Sequence, residues 1–133
     1  MKSVRLLFIF IPILLFGCTN EFKSFENELL SIDENILERD LIIIPKEGCT
    51  GCILNVTYYA EQNIDSINKN VLFTVIQDLK LFRLKVDSAF LSHDQVFIDE
   101  KNVIKSRNIG IYPILVETDD GKIISVSEFS VPN

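Results

Sequence analysis

Leu41-Ile42-Ile43-Ile44 is an unbroken apolar run, rich in β-branched residues and closed by Pro45. A strand with no polar alternation is buried on both faces, so this run requires a sheet covered on both sides and belongs near its centre. Residues 46–51, KEGCTG, read as a turn. From Cys52 onward, Ile53, Val56, Tyr59, Ala60 and Ile64 recur at helical spacing for about a dozen residues. Cys49 and Cys52 therefore lie where a central strand hands over to a helix.

The rest of the chain repeats the alternation. Asn68 and Asn70 mark a loop, and Val71 to Ile76 is a second buried strand. Asp78 is placed to cap a helix with Leu79, Phe82 and Val86 inward, although Leu79-Lys80-Leu81 also reads as strand alternation. Val96 to Ile98 is a short strand, and residues 99–109 are polar with room for one helical turn. Ile114 to Glu117 and Lys122 to Val126 flank Thr118-Asp119-Asp120-Gly121, a hairpin with a strong Asp-Gly signal. Upstream, Phe22, Phe25, Leu29 and Leu30 predict an amphipathic helix over 21–31 that covers one edge of the domain. The expected order is β–α–β–α–β–(short α)–β–β: an α/β protein with a parallel sheet closed by an antiparallel hairpin at one edge.

The first 17 residues stand apart. Lys2 and Arg5 precede an apolar run from Leu6 to Phe16 that contains Pro12. A membrane-crossing helix needs roughly 20 apolar residues, so this run has the length and flanks of a secretory signal. Leu15-Phe16-Gly17-Cys18 resembles the lipobox of bacterial lipoproteins, with Phe16 bulkier than that family usually carries. The resemblance implies cleavage before Cys18 and acylation of that cysteine. The alternative is a plain signal peptide with an incidental cysteine. No acidic cluster follows Cys18, so the domain is expected in the cell envelope, lipid-anchored to a membrane and facing the periplasm, with Thr19 and Asn20 leaning toward the outer membrane. The divisions are then 1–17 signal peptide, 18–38 lipidated cysteine with tether and helix, and 39–133 the α/β domain. Without Lys2 and Arg5 the remaining chain has 11 basic against 19 acidic residues, a net of −8. That balance argues against nucleic acid, which needs clustered Lys and Arg.

Of three cysteines, Cys49 and Cys52 then remain for chemistry, in a compartment where disulfides persist. At the start of a helix, unpaired backbone N–H groups and the dipole favour a thiolate. Two intervening residues let the second sulfur reach the first, so Cys49 is placed to attack a disulfide and Cys52, facing inward, to resolve the mixed intermediate. Three other uses compete. A purely structural bridge would close a four-residue loop and add little chain-entropy stability. Half of a zinc site would need further ligands, and His93 is the one histidine. Two buried reduced thiols do not suit an oxidising compartment. Ser92-His93-Asp94 are consecutive in a polar loop, which is not how a hydrolase triad is built.

Strand, C-x-x-C, helix and the distant Ile109-Gly110-Ile111-Tyr112-Pro113 segment before the Asp-Gly hairpin resemble the thioredoxin superfamily, most closely its membrane-anchored periplasmic TlpA-type members. The resemblance covers about residues 39–128. It implies a central mixed sheet with flanking helices and a C-terminal hairpin. It also implies a cis peptide bond before Pro113, and a platform of Tyr112 and Pro113 beside the sulfurs that pairs with an extended substrate. Several departures stand out. Gly48 replaces the Trp before the motif, Thr50-Gly51 replaces Gly-Pro, no acid lies in strand 41–44, and the final helix usual in that family is absent.

The expected activity is that of a lipid-anchored thiol–disulfide oxidoreductase. Cys49 and Cys52 would be catalytic, with no cofactor beyond the redox-active disulfide and no metal. Its partners would be exported proteins with cysteine pairs and a membrane recycling protein. The rival expectation is a non-catalytic binding lipoprotein of the same fold with a fixed Cys49–Cys52 disulfide.

Overall fold

The computed structural model describes residues 21–104 and 109–133. The expected signal peptide and Cys18 lie outside the described residues, as does part of the expected helical turn within 99–109. The chain forms α1 (Lys23–Ile32), β1 (Leu41–Pro45), α2 (Thr50–Asn63), β2 (Asn70–Thr74), α3 (Leu79–Lys85), α4 (Ser88–Leu91), β3 (Val96–Ile98), β4 (Ile114–Asp119) and β5 (Lys122–Glu128). The strands make one mixed sheet in the order β3-β2-β1-β4-β5. β1, β2 and β3 run parallel, while β4 is antiparallel to β1 and to β5. This arrangement is compatible with a thioredoxin-like fold.

The central place of β1 explains its composition. Ile42 and Ile44 point into one core with Val71 and Phe73, under Ile53, Val56 and Ala60 of α2, Phe82 of α3 and Phe90 of α4. Leu41 and Ile43 point into a second core with Leu72, Val116 and Ile123, under Phe25 and Leu29 of α1 and the Ile36-Leu37 turn. Both sides of the strand are excluded from water, each such side chain adding roughly 1.5–3 kcal/mol. α1 therefore covers a sheet face, not merely an edge.

The strand expected over 71–76 ends two residues early. Val75 takes a left-handed conformation, φ +53°, and turns the chain out of the ladder. Ile76 recovers its backbone partners from Asn102: its N–H donates to Asn102 Oδ1 at 2.9 Å, and Asn102 Nδ2 donates to its carbonyl at 2.8 Å. Asn70, expected in a loop, opens β2 and is buried because its Nδ2 donates to the Ile36 carbonyl at 3.0 Å. Asp78 caps α3 through the Leu81 N–H at 2.8 Å, which decides for helix over strand there. Asp87 caps the unforeseen α4 through the N–H groups of Ala89 and Phe90. The hairpin turn has positive φ at Asp120 and Gly121, the pair a two-residue turn demands.

The face a final helix would cover is closed differently. Beyond Leu115, that side of β4 and β5 carries Glu117 and Ser125, directly paired across the strands and hydrogen-bonded. Phe129 then folds back. Its N–H donates to the Pro113 carbonyl at 2.8 Å, and its ring lies 6.1 Å from that of Tyr59 on α2. Phe129 and Val131 thus roof part of the face, while Glu117, Ser125 and the exposed Ile124 remain outside that roof.

Candidate active site

The site stands at the C-terminal end of β1. Cys49 is the N-cap of α2, and Cys52 lies in its first turn. Their sulfurs are bonded, with Cα atoms 5.3 Å apart, and both residues are half-buried. The Cys52 N–H, one of the unpaired donors of a helix start, points at Cys49 Sγ at 3.4 Å. When the bond is reduced, that donor and the helix dipole stabilise a thiolate on Cys49. Thr50 and Gly51 are exposed, so the motif's outer side is open to a partner.

A second segment meets the first. The Cys49 N–H donates to the Ile111 carbonyl at 3.0 Å. The approach is so close that a Cβ on Gly48 would sit 2.3 Å from that oxygen, and Gly48 has φ +134°. Glycine at 48 is therefore what lets loop 110–113 close on the disulfide. Here the absent Trp has a physical counterpart. Ile111 and Tyr112 are exposed by 55% and 40%, which leaves an apolar ledge beside the sulfurs. The Tyr112 backbone makes no hydrogen bond to another described residue. Pro113 is buried under the ledge with its carbonyl committed to Phe129. The cis bond implied before Pro113 is not found: no peptide bond among the described residues is cis. The trans isomer is the one X–Pro bonds favour by about 0.5–1 kcal/mol. Gly110, φ +67°, supplies a left-handed turn just ahead of that segment.

Lys46, three residues before Cys49, lays its ammonium 5.7 Å from the Phe73 ring centroid and 5.6 Å from that of Phe82. Burial holds its pKa below the ordinary lysine value, opposed by the Glu61 carboxylate and reinforced by the Lys85 charge. No carboxylate lies on β1, as its sequence requires. The buried acids are elsewhere and were not legible in sequence. Glu26 of α1 accepts from the Ile123 N–H at 3.0 Å. Asp99 accepts from Thr74 Oγ1 at 2.8 Å and from the N–H groups of Val103 and Ile104. Both are consumed in holding the backbone.

His93 lies far from the sulfurs in sequence and bridges Asp65, at 3.2 Å from Nε2, and Asp94, at 3.0 Å from Nδ1, on the outer surface. Among the described residues no group of three or more His, Cys, Asp or Glu side chains is arranged to hold a metal ion, and no helix is long and apolar enough to cross a membrane. The chain thus presents an α/β domain with a C-x-x-C disulfide at a helix start. Comparison with protein-family models, with curated proteins and with solved structures finds no match.

Proposed function

We propose that this chain is a lipid-anchored, thioredoxin-like thiol–disulfide oxidoreductase of the cell envelope. The observation that carries the reading is the Cys49–Cys52 disulfide itself, half-exposed at the N-cap of α2 with the Cys52 N–H directed at Cys49 Sγ. In the reducing direction the Cys49 thiolate attacks a substrate disulfide. The substrate S–S bond breaks, one substrate sulfur leaves as a thiolate that takes up a proton, and a Cys49–substrate disulfide forms. Cys52, deprotonated in turn, attacks Cys49 Sγ and releases the second substrate thiolate. Two electrons have then passed to the substrate and the Cys49–Cys52 bond is restored. A membrane-bound dithiol partner resupplies the electrons. The ledge of Ile111 and Tyr112, with no described residue hydrogen-bonded to the Tyr112 backbone, suits an extended substrate laid beside the sulfurs. The anchor at Cys18 rests on the lipobox-like Leu15–Cys18 segment.

The test is a Cys52→Ser chain incubated with envelope extract, with disulfide exchange by the unaltered protein measured alongside. A mixed disulfide through Cys49 is expected. No trapped adduct together with no exchange refutes the reading. A second reading, a binding lipoprotein with a fixed bridge, is favoured by the lack of any carboxylate on β1 to assist proton transfer. Redox titration separates the two. A potential below about −300 mV marks a structural bridge, and one between about −270 and −120 mV a working pair.

A further inference from the structure

We propose that the cleft between Lys46 and helix α3 is a recognition site for an acidic side chain of the partner protein, one that flanks the cysteine exchanging with Cys49. The inference rests on the oxidoreductase reading for that cysteine and goes beyond it by naming the chemistry that stands beside it. The cleft, of about 220 Å³, opens where β1 and β2 end. Lys46 forms one wall and Leu81 and Lys85 of α3 the other, over a floor of Ile76, Phe82 and Val86. The walls are fixed by bonds within the domain. The Lys46 N–H donates to the Thr74 carbonyl at 2.9 Å, Asn102 clamps Ile76 from both sides of its backbone, and Asp78 caps α3. The cleft is therefore preformed. Small-molecule pockets run to roughly 300–1,000 Å³, so its size suits one protein side chain better than a cofactor.

Charge selects the occupant. The chain as a whole carries −6, yet α3 holds Lys80, Arg83 and Lys85 and no acid. Arg83 is paired with Glu100, whereas Lys46 and Lys85 enter no ion pair among the described residues. The half-buried Lys46 ammonium lies over the Phe73 and Phe82 rings. The acids around it leave it unmatched at contact. Glu47 is exposed, Asp78 Oδ1 is committed to the Leu81 N–H, and Glu61 of α2 acts on the ammonium from beyond ion-pair distance. A carboxylate entering between Lys46 and Lys85 offsets what burial costs that ammonium, while its methylenes meet Ile76, Phe82 and Val86. A lysine side chain would meet two like charges. Position ties the cleft to the disulfide. β1 lies between β2 and β4, so the cleft on the β2 side and the Ile111–Tyr112 ledge on the β4 side flank Cys49. Lys46 to Cys49 is three residues, at most about 11 Å. A segment laid across Cys49 from the ledge thus reaches the cleft within about three residues of its own cysteine.

The experiment titrates the full-length oxidised chain, in non-ionic detergent, with dye-labelled peptides that carry a serine in place of the substrate cysteine. Glu, Gln or Lys occupies the positions three before and three after that serine, and fluorescence anisotropy reads binding. The Glu peptide is expected to bind about tenfold more tightly than the Lys peptide, with Gln between them, and added salt narrows the gap. Lys46→Met, and separately the exposed Lys85→Glu, are expected to bring that preference within about twofold. Lys80→Gln, on the same helix but outside the cleft, leaves it unchanged. Equal binding of the three peptides by the unaltered chain overturns the proposal. So does a preference that Lys46→Met or Lys85→Glu retains in full, or one that Lys80→Gln removes as completely. Reduction of hydroxyethyl disulfide by the Cys49–Cys52 dithiol, measured separately, reports on the redox reading. If it proceeds while the peptides bind equally, only the cleft proposal falls. If it is absent while the Glu preference holds, the oxidoreductase reading falls and takes with it the role of the cleft beside a substrate cysteine.

Discussion

Replacing Gly48 with alanine tests the junction on which the site is built. The new Cβ would lie 2.3 Å from the Ile111 carbonyl oxygen and 2.8 Å from the Ile111 Cβ, at φ +134°. The first obstacle is backbone and cannot swing aside, so loop 110–113 must retreat. A side chain at that φ costs roughly 1–3 kcal/mol. The retreat loses the 3.0 Å bond from the Cys49 N–H to Ile111, worth about 1 kcal/mol. The sum is about 2–4 kcal/mol. With a urea slope of about 2 kcal/mol per molar, the unfolding midpoint falls by roughly 1–2 M. Circular dichroism in urea on the oxidised protein is the assay, with Gly51→Ala as the control. Position 51 is exposed, a methyl added there would meet nothing within 4 Å, and its helical place makes alanine neutral or stabilising by up to about 1 kcal/mol. A Gly48→Ala midpoint indistinguishable from wild type would refute the account of why this glycine precedes the motif. If Ile111 and Tyr112 form the substrate ledge, the same variant also raises KM for a peptide disulfide more than it lowers kcat.

Three other substitutions read separate parts of the structure. The buried Thr57 hydroxyl has no hydrogen-bond partner among the described residues, so Thr57→Val is expected to stabilise by about 1 kcal/mol and raise Tm by roughly 4–8 °C; a fall in Tm would show that the hydroxyl is satisfied in solution. Asp99→Asn puts an amide N–H where a carboxylate oxygen accepts, and calorimetry should show a loss of about 2–3 kcal/mol; an unchanged Tm would mean that Asp99 does not hold the 99–104 turn. Lys46 has its pKa lowered by burial, so the unfolded chain binds the extra proton and stability rises with pH between the folded value and 10.5. Below that window the cost of the buried charge is fully present. Lys46→Met should therefore lose this rise in denaturation measured from neutral pH to pH 10.5, and a parallel pH profile in the two proteins would refute the assignment.

The chain's own sequence determined a good deal, for a physical reason that can be read at particular residues. An all-apolar run such as Leu41–Ile44 has one stable place, the middle of a covered sheet, and an Asp-Gly pair between two apolar runs has one stable turn. Cys49 at a strand-to-helix junction was equally legible, because backbone periodicity alone places both sulfurs. What only the tertiary structure decided is what depends on meetings between distant segments. Nothing in the local sequence around residue 48 says that Ile111 lies against it, and that contact gives Gly48 its role. The end of β2 at Thr74 depends on Asn102, far along the chain. The trans bond at Pro113 and the roof of Phe129 over α2 depend on how the loop and the tail settle on the sheet. The seat of α1 on the sheet depends on Phe25 and Leu29 entering the second core and on the Glu26 carboxylate meeting the distant Ile123 N–H. Local periodicity dictates elements because each turn or strand step is decided by its neighbours. The site's surroundings are decided by long-range contacts, which no single stretch of the chain contains.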